Sequence, residues 1–113
     1  MVKLTTGVNR IRDLVGADFI DGLAGTATAA LSESQTGLIS AVPNTESDVT
    51  VEYSNKTLTV THIIGPLQGN GSNLTEWTIR MFNETVSFHR ILTAPISKTS
   101  SEQIQKVTSI FFK

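Results

Sequence analysis

Lys98-Thr99-Ser100, inside "APISKTSSEQ" (residues 94–103), is a triplet of the kind that ends a phosphate-binding loop. Such a loop needs a glycine-rich turn ahead of the lysine, because the backbone must close tightly around the phosphates. Ala94, Pro95, Ile96 and Ser97 stand there instead, and no helical pattern follows. The stretch is expected to be a polar connection between two strands. His62 and His89 are the two histidines, each amid apolar neighbours in an alternating run. A metal site would need a third ligand, for which Glu52, Glu76 and Glu84 are the candidates. The plainer expectation is two satisfied or surface imidazoles. No Ser/His/Asp arrangement has a nucleophile elbow, and no carboxylate pair has a motif around it. The absence of cysteine excludes disulfides, thiolate zinc sites and cysteine nucleophiles. The expectation is a protein without catalysis, cofactor or metal.

The composition narrows the partners. Nine Lys and Arg stand against 10 Asp and Glu, a balance that gives no electrostatic grip on nucleic acid or on an anionic membrane. Charged residues are 17% of the chain, against roughly 25% in an average soluble domain. The polarity comes instead from 16 Thr and 11 Ser. Threonine is β-branched and suits a pleated surface, so this balance favours an all-β fold. No apolar run approaches the roughly 20 residues of a membrane span. "MVKLTTGVNRIRD" turns polar too early for a secretory leader. The chain is expected to be made and used without export.

Few elements are available to position any site. "TTGVNRIRDLV" sets Val8, Ile11, Leu14 and Val15 at helical spacing, with Thr5 or Thr6 as N-cap and Gly16 as the stop. So short a helix must dock on something to persist. "DFIDGL" reads as a strand, "AGTATAALSESQTG" as a small-residue loop or a segment lying on a neighbouring subunit, and "LISAV" as a strand ending before Pro43. "DVTVEY" and "TLTVTHII" alternate strictly, which predicts a hairpin over 48–64 turning at Asn55-Lys56. "GPLQGNGSNL" is a loop. "TEWTIRMF" puts Trp77, Ile79 and Met81 on one face with Glu76 and Arg80 on the other. "TVSFHRILT" and "EQIQKVTSIFF" complete the strands. Four Asn-x-Ser/Thr sequons, at Asn55, Asn70, Asn73 and Asn83, fall at the predicted turns. The expected fold is mainly β: one antiparallel, jelly-roll-like β-sandwich over residues 1–113, with 1–16 as an N-terminal helix or arm.

Taken in order, "LTTGVNRIRDLVG", "GLAGTATAALSESQTGL", "EWTIRMFNE" and "RILTAPISKTSSEQIQKVTSIFF" resemble segments of small tailed-phage structural proteins of the tail-fibre or tail-appendage type. Gly25-Thr26-Ala27-Thr28 stands where that family has Gly-Thr-Gly-Thr, and Met81-Phe82 is shorter than its counterpart after Arg80. The resemblance implies a virion component made in the host cytoplasm. Its partners would be copies of itself and other proteins of the tail, neck or capsid, with a host surface glycan as a further candidate. A capsid decoration or head-fibre protein is the alternative within that class, and a carbohydrate-binding β-sandwich module the alternative outside it. Such a module displays exposed aromatics, whereas Trp77 and Tyr53 are expected to face the core. Assembly contacts are expected at Val8, Ile11, Leu14 and Val15, and along the small-residue segment at Ala24, Thr26, Thr28 and Leu31, in a trimer or larger ring.

Overall fold

The computed structural model describes Val2 and residues 4–113. Helix α1 (Thr5–Asp18) leads into β1 (Phe19–Gly25), β2 (Ala41–Asp48), β3 (Thr50–Ser54), β4 (Thr57–Ile64), β5 (Asn73–Met81), β6 (Val86–Ser87), β7 (Ile91–Ser97) and β8 (Ile104–Phe111). All pairings are antiparallel. One sheet runs β2-β1-β5, with the far edge of β5 shared by β7 along its first half and β6 at its end. The other runs β3-β4-β8. The two sheets pack face to face, so the chain is mainly β, an antiparallel sandwich with one short N-terminal helix.

Strict alternation builds the core. Leu58, Val60, His62 and Ile64 are the buried row of β4, and the threonines between them turn outward. Phe19, Leu58, Val60 and Ile79 form one cluster with Val15 and Met81 against it; Ala24, Ile64, Leu74 and Trp77 form the other. The Trp77 indole N–H donates to Thr93 Oγ1 at 2.9 Å, so its burial leaves no donor unmet. The hairpin turns at Asn55-Lys56 as the alternation predicts, although Lys56 rather than Asn55 carries the positive φ, at 57°.

Three elements depart from the sequence reading. The helix takes no side-chain N-cap from Thr5 or Thr6 and runs two residues past Gly16, because tertiary contacts hold it. Val8 is buried, Asn9 Oδ1 accepts the Lys56 N–H at 2.8 Å, and the Arg12 guanidinium lies over the Tyr53 ring and donates to Ser54 O. Gly16 serves approach instead of termination: a Cβ there would lie 2.7 Å from Tyr53. Strand β2 begins at Ala41, after most of "LISAV", and passes through Pro43, which an edge strand tolerates. "TVSFHRILT" is two strands, β6 and β7, with Phe88–Arg90 between them.

Candidate functional site

In β5, Trp77 and Ile79 face the other sheet, so Glu76, Thr78 and Arg80 face away from it. Their partners on β1 are Gly25, Leu23 and Asp21. The outer face of a sandwich is ordinarily wet, yet Asp21, Glu76 and Thr78 are all buried. Residues 26–40 return across the Glu76 end of this face and are fastened to it by one carboxylate. Glu76 Oε2 accepts the N–H groups of Ala27 (3.1 Å) and Ser40 (2.8 Å), and Oε1 accepts that of Ile39 (2.9 Å). Arg90 adds its Nε at 2.8 Å from Oε1, and its Nη1 donates to Ala29 O and Gln35 Oε1. Burial pushes the Glu76 carboxyl up, but the hydrogen bonds from Arg90 and the three amides outweigh it and hold the group below its ordinary value. A Cβ on Gly25 would stand 2.4 Å from Glu76 Oε2, so only glycine lets the carboxylate in.

The second ion pair is Asp21 with Arg80, bidentate at 2.8 and 2.6 Å. Arg80 also contacts Glu46 at 2.7 Å and Glu84 at 4.0 Å. Asp21, Glu46 and Glu84 bring three carboxylate oxygens within 4.8 Å of one another, and no other group of three possible metal ligands stands together among the described residues. The arginine is already their cation. Its bonds to Asp21 and Glu46 raise its pKa further, against the opposing effect of burial.

The structure does not bring the histidines together with the glutamates that the sequence offered. The His62 Nε2–H donates to Thr45 O at 2.9 Å, with the ring pressed on Gly22, and burial lowers its pKa. Burial likewise lowers that of His89, helped by the charge of Lys106. Glu76 is committed to Arg90, Glu84 lies near Arg80, and Glu52 is exposed on β3. Lys98 holds no phosphate cradle. It is 2% exposed, and its ammonium donates to Asn70 Oδ1 and Thr99 O at 2.8 Å and to Pro66 O at 3.4 Å. It fastens the 65–72 loop to the end of β7.

The eight expected contact residues divide. Val8, Val15 and Ala24 are consumed by the chain's own packing, Ala24 completely because β1 is the second strand of its sheet rather than a free segment. Ile11, Leu14, Thr26, Thr28 and Leu31 remain exposed. Tyr53 is 48% exposed rather than core-facing, with Arg12 on its ring. Missed from the sequence are Glu76 and Arg90 as a pair, and a cleft of about 360 Å³ lined by Leu31, Gln35, Ser87, Phe88, His89 and Arg90 among others. Arg90 Nη2 and both ring nitrogens of His89 are buried without a partner. Their only signal in the sequence is a charged residue next to tryptophan in mid-strand.

Comparison of the chain with protein-family models, with curated proteins and with solved structures gives no match. No helix among the described residues is long and apolar enough to cross a membrane.

Proposed function

We propose that this chain is a non-enzymatic structural subunit of a virion, of the tail-fibre or tail-appendage type, working by assembly with copies of itself and with other virion proteins. The ordered resemblance of its segments supports the class, and a place on the head would use the same contacts. The observation that carries assembly is the outer side of α1. Docking uses Val8 and Val15 and leaves Ile11 and Leu14 55% and 56% exposed, beside a groove of about 380 Å³ lined by Leu14, Val15, Ala17, Asp18 and Met81. Exposed apolar side chains gathered beside a groove mark interaction surfaces. The test is Ile11→Ser with Leu14→Ser, which spares the docked side of the helix. Sedimentation is expected to show a smaller species than the parent chain, and the variant should no longer co-purify with assembled particles. Unchanged mass and unchanged incorporation would sink the reading.

A second reading, saccharide binding, is favoured by the cleft beside Arg90. Arg90 is neutralised by Glu76, so what remains is hydrogen-bonding capacity flanked by Phe88, which suits a neutral polyol better than an anion. A glycan array separates it from pure assembly: binding abolished by Phe88→Ala supports it, and a blank array removes it.

A further inference from the structure

Every sheet edge is a template for another strand unless something blunts it. Three of the edges here are blunted. Strand β2 carries Pro43, Glu46 and Asp48 and a register shift opposite Gly22 to Ala24. Strand β3 has five residues and lies beside α1, where Arg12 binds Ser54 O and stacks on Tyr53. The β6/β7 edge is broken into two pieces, with Pro95 and a register shift in the longer one. Strand β8 has none of these devices. Its eight residues, "IQKVTSIF", contain no proline or glycine, and they pair with β4 without any shift. Lys106 is its one charge.

The sandwich is also narrower on this side. The β3-β4-β8 sheet is three strands wide, and the sheet facing it is four across. Leu58, Val60 and Ile64 on β4 are fully buried, but their neighbours Ile110, Thr108 and Ile104 on β8 are only half-buried. One more strand beside β8 would cover that row.

We propose that the occupant is β8 of a second copy of this chain, paired antiparallel about a two-fold axis at Val107. The ladder fixes which groups are free. Phe112 N donates to Lys56 O. Bonds alternate along an antiparallel pair, so Gln105, Val107, Ser109 and Phe111 turn their N–H and C=O groups to the open edge. About Val107 the strand is self-complementary: Ile104 meets Ile110 of the other copy, Gln105 meets Ser109, and Lys106 meets Thr108. Apolar faces apolar, polar faces polar, and the two lysines do not oppose one another. Val107 would exchange both backbone bonds with its own symmetry mate, an isologous contact closed at two chains. The inference rests on the assembly reading in requiring a homomeric contact, but it uses a different surface from the helix.

The absence of cysteine makes the test direct. A hydrogen-bonded antiparallel pair sets its Cα atoms about 5.5 Å apart, within disulfide range. Val107→Cys is expected to form a disulfide dimer under mild oxidation, and Gln105→Cys, displaced along the strand from its own mate, is not. Val107→Pro removes an outward N–H and leaves the β4 ladder intact, so it should lower the parent oligomer's mass to the species held by the helix contact alone, with an unchanged circular dichroism spectrum. Equal cross-linking at 105 and 107, or none at 107, overturns the proposal. If the oligomer survives Val107→Pro but is lost in the Ile11/Leu14 variant, the edge contact fails and the assembly reading stands. A parent chain monomeric at about 100 µM removes the edge contact and every homomeric form of assembly together.

Discussion

Arg90 Nε lies 2.8 Å from Glu76 Oε1, with the two side chains 4% and 0% exposed. One buried ion pair thereby closes a 15-residue connection over the sheet. Removing one partner of such a pair leaves a charge with neither water nor counterion, a loss of about 3–5 kcal/mol. Arg90→Ala is expected to destabilise the chain in that range, measured by urea unfolding. Glu76→Gln, which strands the Arg90 charge and turns an amide NH2 towards N–H donors that now bind an oxygen, should cost at least as much. A loss below about 1 kcal/mol for Arg90→Ala would show that the charge is hydrated after all.

Two pH windows follow from opposite protonation logics. The Glu76 carboxyl is held below its ordinary 4.5, so its contribution is complete above that pH and is lost as pH falls through the lower folded value. His62 and His89 are also depressed, so below their ordinary 6.5 the unfolded chain binds protons that the folded chain refuses. Stability should be flat near neutrality, decline as pH drops below 6.5, and decline again below 4.5. Urea midpoints from pH 3 to 8 report this. In the His62→Gln variant the first decline should shrink; an unaltered profile would assign it elsewhere.

Gly22 gives way to the imidazole of His62: a Cβ there would sit 2.3 Å from the ring. Gly22→Ala is expected to cost about 1–3 kcal/mol through overpacking. Adding His62→Ala should recover part of that loss, because the two changes share one contact. Strict additivity in the double variant would refute the clash.

Lys98→Met keeps the stem and deletes the ammonium that binds Asn70, Thr99 and Pro66. The expected cost is about 1–3 kcal/mol for acceptors left unmet. Faster amide hydrogen exchange should be confined to residues 65–72 and 98–103. A variant that instead loses nucleotide binding would restore the phosphate-loop reading of this triplet.

The parts legible in the sequence are those that local pattern controls. Val49, Val51 and Tyr53 alternate against Leu58, Val60 and His62, so the hairpin can be read from period alone. Trp77 and Ile79 declare their face in the same way. The parts that were not legible depend on distant partners. Glu76 looks like an ordinary outward glutamate until residues 27, 39 and 40 arrive to cover it. Gly16 looks like a helix stop until Tyr53 needs its space. Pro43 looks like a terminator until β2 proves to be an edge. His62 and His89 read as ordinary strand histidines, and only the fold shows one satisfied by Thr45 and the other left unpartnered.

The fastening of the connection by Glu76 also has a kinetic side. Its amide partners lie 36, 37 and 49 residues away along the chain, so it cannot close until β1 and β5 already lie side by side. Contacts of such separation made on top of a formed sheet belong to the late, downhill side of folding. Breaking one leaves the rate of folding nearly unchanged and accelerates unfolding by almost the whole energetic loss. For Arg90→Ala, the unfolding arm of the chevron should rise while the folding arm stays in place; a slowed folding arm would move the clasp into the nucleus. In the first case, this carboxylate governs how long a folded molecule lasts, and has little to do with how fast one forms.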